Sequence, residues 1–427
     1  MPVRSLPVLQ NWDCSVCGAC CRAYHVHVTP AEQARIEGQG WESDPDLAGV
    51  PYFVKESGLL SGGGYRLNHR PDGTCVFLGP DNRCRIHGKF GSAAKPLACR
   101  IYPFVFIPAG DHWRVGMRFA CPNVAGNKGR PVADQLADAR EYVAAVEADS
   151  PAAVNGPPIP LAAGRVVPWA DVYRIVAAVS KLLANTTVPL ELRWRTVLGL
   201  VGLCRGLKFD GDGDPKKAVT GGRLAEMLHL LGQAAFEEAP SEASELPRAG
   251  WVGRVVFRQV AAVYARRDHG PEKGPALKTP LSRVLAAMRF ARGGGRVPQT
   301  HAKIPAVATF EAAEQPFGTL GQESDELLTR YYRVKLESGQ FCGPSNFGVP
   351  FWEGIESLAV TFPVVMWLAR VLVAGGLGRD EAVFGAVRIV DDNFGHNRLL
   401  GLGRQKFALR LLAARGELPK LVAWYGR

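Results

Sequence analysis

The chain has 427 residues, 47% apolar and 21% charged, with 51 Lys plus Arg against 40 Asp plus Glu for a formal charge of +11. Such values exclude a disordered chain and fit two or three globular domains with a real hydrophobic core. The positive balance suits an anionic partner, a membrane surface or plain solubility without choosing among them, and no run of five or more Lys or Arg occurs.

The opening residues, Met1 to Asp13, contain Pro2 and Pro7 and no apolar stretch of seven, so no export signal is expected and the compartment is read as cytoplasmic and reducing. From Asn11 to about Asn127 the chain is rich in Gly, Pro and Cys. Thr74 to Leu78 with Arg83 to His87, and Phe104 to Ile107 with Trp113 to Phe119, each flank turn residues and read as β-hairpins. The first would place Cys75 and Cys84 at opposite ends of a turn.

After Pro131 the periodicity becomes helical. Ala133 to Ala148 predicts a helix, and Ser150 to Pro168 predicts a proline-rich linker. Val172, Ile175, Val176, Val179, Leu182 and Leu183 form one apolar stripe. Further helices are expected over 189–204, 223–231, 251–266, 281–292, 325–336, 352–374, 379–394 and 398–415. Ser324 would cap one of them, and Thr279 another with Pro280 at the favoured first position. Leu358 to Leu377 is about long enough to cross a bilayer, but Pro363 and Arg370 interrupt it, so a buried helix is expected and no membrane span. The predicted fold class is α+β, with a small loop-rich cysteine-cluster metal module carrying short hairpins (1–130), a helix and linker (131–168), and a larger mostly α-helical region (169–427).

Eight of the ten cysteines lie within the first 121 residues: Cys14, Cys17, Cys20, Cys21, Cys75, Cys84, Cys99 and Cys121. Thiolate sulfur is a soft ligand that selects zinc, copper(I) or iron–sulfur clusters, and without an export signal a metal site is favoured over disulfides. Gly18 gives a tight Cys14–Cys21 loop its backbone freedom. Neighbouring Cys20 and Cys21 would diverge in an extended strand, so two metal sites are an option. Neither ferredoxin spacing nor a second C-x2-C of a zinc ribbon is present.

The set Cys14-x-x-Cys17-Gly18-x-Cys20-Cys21, Cys75-x-Phe77-Leu78, Cys84-x-Ile86-His87 and Lys95-Pro96-Leu97-x-Cys99-Arg100-x-Tyr102-Pro103 resembles the YkgJ-type cysteine-cluster family, the CxxCxxCC zinc- or iron-chelating proteins. His87 departs from the more usual Tyr. The overall order, a cysteine cluster before a long helical region, is similar to flagellin lysine N-methylases, and Asp380 to His396 faintly resembles their C-terminal helix. This resemblance implies an iron–sulfur or zinc cofactor and an S-adenosylmethionine-dependent methyl transfer to a lysine-bearing protein substrate. The alternative is a non-catalytic, zinc-stabilised protein-interaction module.

Among the cations near the later cysteines, Arg83, Arg85, Lys89, Lys95, Arg114 and Arg118 read mostly as a solvated face. Arg100, beside Cys99, is the candidate for touching the cluster or an anionic cofactor. His25, His27, His69 and His112 are read as structural or supporting groups rather than ligands. Cys204 and Cys342 are read as buried or free thiols, and the Asp210–Asp214 triplet as a solvated loop because it lacks the glycine and glutamate of an EF-hand. Nucleic acid is not an expected partner, since no stacking platform or known motif supports it.

Overall fold

A computed structural model describes residues 1–56, 64–149, 156–209 and 218–427. The Asp210–Asp214 triplet and the start of the expected linker lie outside them. The N-terminal region runs β1 (Val3–Ser5), α1 (Ala19–Ala23), β2 (His27–Val28), α2 (Pro30–Glu37), β3 (Phe53–Lys55), β4 (Tyr65–Leu67), α3 (Arg85–Phe90), α4 (Leu97–Ile101), β5 (Phe104–Pro108), β6 (Trp113–Met117) and α5 (Pro122–Ala125). It forms two three-stranded sheets, ordered β1-β6-β5 and β2-β4-β3. The α+β class follows, with short strands confined to this part.

Only the second expected hairpin is a hairpin. β5 and β6 pair antiparallel from Phe104 opposite Met117 to Pro108 opposite Trp113. In the first, a lone bridge joins Leu78 to Cys84, and Arg85 to Phe90 turns into α3 with Cys84 at its N-cap. Three alternating residues were too few to separate strand from helix.

The helical region contains α6 (Leu136–Asp149), α7 (Trp169–Leu183), α8 (Leu190–Arg205), α9 (Gly221–Glu238), α10 (Trp251–Tyr264), α11 (Pro280–Arg292), α12 (Phe310–Ala313), α13 (Gln322–Ser338), α14 (Phe351–Val373), α15 (Arg379–Asn393), α16 (Gly403–Ala414) and α17 (Glu417–Gly426). Thr279 caps α11 in a reciprocal capping box with Pro280 in the first turn, which satisfies two otherwise orphaned amides. Ser324 caps nothing. It is buried inside the first turn of α13, whose N-cap is Gly321, and its hydroxyl donates to Asp380. α14 is long and apolar enough to cross a membrane, yet the apolar stretch is buried inside this fold, packed by α8, α15 and α17. α17 was not foreseen, although Leu418, Leu421, Val422 and Tyr425 carry the helical spacing and are all buried.

Two hydrophobic cores result. The small one gathers Val28, Ile36, Trp41, Leu47, Leu67, Val76, Phe77 and Ile86 around the thiol of Cys75. The large one fills the helices and extends back into Val3, Phe104, Trp113 and Met117 of the first sheet and Phe119 just beyond it. β6 packs on α13, so this sheet shares its core with the helices.

Candidate metal centre

Gly18 precedes α1 with φ 66°, the left-handed region in which a side chain is strained. A Cβ there would also come within 2.4 Å of the Arg22 guanidinium, which donates to the Cys17 carbonyl at 3.1 Å. This turn starts a helix, and helical backbone corrects the expectation that Cys20 and Cys21 diverge. Their Sγ atoms lie 3.9 Å apart. Tetrahedral zinc with Zn–S of about 2.3 Å has sulfur–sulfur edges of roughly 3.8 Å, so the pair is spaced as two corners of one site.

Three further thiols converge on this pair. The Cys75 amide donates to the Cys21 carbonyl at 2.9 Å, the Leu78 amide closes the turn onto Cys75 at 2.9 Å, and the bridge to Cys84 ends it. Cys99 sits on α4 and, with Cys21 and Cys84, packs on the small core. Burial and neighbouring sulfurs shift Cys20, Cys21, Cys75 and Cys99. Cys75 is pushed up to about 12 by burial, with Cys84 and Cys20 adding to it, and Cys99 is pushed up by burial, then by Cys75, Cys84 and Cys20. Cys20 and Cys21 share one proton: the hydrogen bond from Cys21 lowers Cys20 to about 6, and the same bond, with burial, raises Cys21.

Buried thiols that oppose one another's ionisation are what a soft cation relieves, because it stabilises every thiolate at once. The donor set of Cys20, Cys21, Cys75, Cys84 and Cys99 therefore fits zinc or iron. Among the described residues, no three His, Cys, Asp or Glu side chains form a closed metal-holding group.

The other three cysteines stand apart. Cys14 and Cys17 are exposed, and Cys121 is buried at the start of α5. Cys121 is raised mainly by burial and also feels Cys17. All ten cysteines are free thiols, and Cys204 and Cys342 are buried in the helical core.

The cations are mostly engaged elsewhere. Arg100 ion-pairs with Glu141 of α6 at 2.8 Å, Arg85 with Asp44 at 2.8 Å, Lys89 lies 5.1 Å over the Trp41 ring, and Arg114 lies 3.9 Å over Tyr173. Lys95 is the cation whose charge helps lower Cys20 and Cys99. His25 packs on His69 and His269, with ring centroids at 4.8 and 5.8 Å. Burial first, then Arg66, lowers His25 to about 4, which keeps the ring neutral near pH 7.

Sequence reasoning did not foresee the cavity beside the cluster. It holds about 410 Å³ and is lined by Cys17, Arg22 and Tyr24 from the cysteine loop, Glu272 and Lys303 from the two connections that flank α11, and Arg388 and Asp392 of α15, among others. Asp392 accepts from Arg118 at 3.2 Å and also pairs with Arg267, which in turn donates to the Ala23 carbonyl. Glu272 pairs with Lys303 at 2.6 Å. Arg22 and Arg388 have no carboxylate partner among the described residues; Arg388 donates to the Ala120 carbonyl at 3.2 Å. The cavity's wall thus joins the cysteine loop to residues nearly 370 positions away, a proximity no local spacing encodes.

Comparison with curated proteins and with solved structures finds no match. Residues 13–123, about a quarter of the chain, match the family model CxxCxxCC, described as "Putative zinc- or iron-chelating domain", which supports a metal-binding cysteine-cluster protein.

Proposed function

We propose that Cys20, Cys21, Cys75, Cys84 and Cys99 supply the ligands of the main metal centre, with Cys14, Cys17 and Cys121 serving a second position near the cavity, and that the protein works on a ligand held in that cavity. The observation that carries this is the 3.9 Å pair of Cys20 and Cys21 with Cys75, Cys84 and Cys99 gathered at the same small core, near a cavity rimmed by Cys17 and Arg22. Small-molecule sites favour such seams between structural units. Bound iron would supply redox or Lewis-acid chemistry, and zinc Lewis-acid chemistry or structural support.

The specific reaction put forward is S-adenosylmethionine-dependent methylation of a protein lysine. Glu272 and Asp392 line the cavity beside Arg22 and Arg388, an arrangement suited to a ligand bearing both ammonium and carboxylate groups. A second reading is a zinc-stabilised interaction module without catalysis. It is supported by the small core around the thiols, too few residues to fold a loop-rich segment unaided.

Anaerobic purification with metal, sulfide and visible-absorption analysis separates the two. Iron with broad visible absorption supports the first, and colourless protein with stoichiometric zinc supports the second. Given iron, mass spectrometry of candidate protein substrates after incubation with S-adenosylmethionine tests methylation; no added methyl mass on any lysine removes that reaction.

A further inference from the structure

Two stretches of the helical region combine many cations with no acidic residue. Residues 274–310 carry Lys278, Arg283, Arg289, Arg292, Arg296 and Lys303, and residues 393–416 carry Arg398, Arg404, Lys406, Arg410 and Arg415. These six and five cations equal the formal +11 of the whole chain, so the remaining residues are in balance.

The fold brings the two stretches together. α11 and α16 both pack on α10, and a groove of about 360 Å³ is lined by Arg283, Ala286 and Ala287 of α11 and by Arg404, Gln405 and Ala408 of α16. Lys303 pairs with Glu272 and Arg410 with Glu353. The other nine cations pair with no carboxylate among the described residues.

α11 is apolar on two opposite sides. Ala286 and Phe290 are buried, while Leu281, Val284, Leu285 and Met288 are 68, 56, 45 and 50% exposed. At about 100° per residue these four fall in one sector, roughly opposite Phe290. On α16, Phe407 is 64% exposed. Contiguous exposed apolar surface of this kind marks an interaction site.

The shape and chemistry select the partner. The exposed stripe does not line the groove, so it forms a ridge rather than a slot for a protein segment. Its crest is Leu, Val and Met, and exposed Arg289 and Arg292 flank it. At a lipid interface such a crest enters the acyl boundary while long basic side chains reach the phosphates. Nucleic acid would call for several exposed aromatic rings, and Phe407 is the one large exposed ring on these two helices.

We propose that the α11–α16 face docks the protein peripherally on a membrane surface rich in anionic phospholipid. The test uses the full, metal-loaded chain and co-sedimentation with vesicles of phosphatidylcholine alone or mixed with phosphatidylglycerol, at low and high salt. The expected result is binding to the mixed vesicles that high salt releases. It should weaken about tenfold or more in the L285S/M288S chain and again in R289Q/R292Q. All four positions are exposed, and unchanged far-ultraviolet circular dichroism and metal content confirm intact variants. No preference for the anionic vesicles, or wild-type binding by both variants, overturns the proposal. So does equally tight binding to polyglutamate or a single-stranded oligonucleotide that L285S/M288S leaves untouched, which would make the face a charge site for another class of partner.

Discussion

Lys335 of α13 and Asp391 of α15 meet at 2.5 Å with neither side chain exposed. Each also grips the backbone that leads into Cys121: Lys335 donates to the Met117 carbonyl at 3.1 Å, and Asp391 accepts from the Ala120 amide at 2.8 Å. One ion pair therefore fixes two helices and the strand end beside Cys121. Breaking a buried pair by removing one partner strands the other charge, whereas replacing both with apolar groups is much milder.

Lys335→Met is expected to cost about 3–5 kcal/mol, read from urea unfolding followed by circular dichroism. The K335M/D391L chain should recover much of that loss. A double variant no more stable than K335M would mean the pair's neighbours, and not the stranded carboxylate, set the cost.

Substituting serine at Cys75 and Cys84 together should remove most of the metal bound at the main centre, because a tetrahedral thiolate site needs four sulfurs and only three of the five remain. Alanine at Cys204 or Cys342 should leave the metal content unchanged, as both are buried in the helical core away from the cluster. Elemental analysis per protein chain measures both. Equal metal in C75S/C84S and wild type would move the centre to Cys14, Cys17 and Cys121.

The contrast between these sites shows what local sequence carries. The β5–β6 strands announce themselves by alternation around Pro108 to Asp111, and the stripe from Val172 to Leu183 specifies α7, because strand and helix periods are local properties. The cluster's members were readable from their residue type. Their arrangement was not, since it depends on α1 being helical at Cys20 and Cys21 and on Arg85 to Phe90 forming α3. The cavity was invisible for a different reason: Asp392 and Arg267 reach the Tyr24 loop only through tertiary packing. Arg100 illustrates the same limit, because Glu141, 41 residues on, holds it at 2.8 Å, while Lys95 provides the charge near the sulfurs.

His301 predicts an acid sensitivity. Burial first, with Lys303, Arg267 and Arg388 adding to it against Glu272, lowers its ring to about 4, below the unfolded value of about 6.5. Above that value both states are neutral and the full stability is present. As pH falls from about 6.5 to about 4 the unfolded chain takes up the proton first, so stability is lost, on the order of 3 kcal/mol at most. Urea unfolding at neutral pH and near the lower value should show a smaller acid loss in His301→Gln than in wild type. An equal loss would place the sensitivity in other groups, such as His25.

Chelation should separate the two cores. The small core holds eight apolar side chains besides Cys75, little to offset the ordering of a loop-rich segment, whereas structural zinc contributes about 10–16 kcal/mol to comparable modules. The first sheet belongs to the large core through Phe104, Trp113 and Met117, so it should survive metal loss. Hydrogen exchange after chelator treatment is therefore expected to strip protection from β4, α3 and α4 while sparing β5, β6 and the helices from α7 onward. If β4 and α3 kept their protection without metal, the small core would be self-sufficient, and the sulfurs would serve chemistry alone.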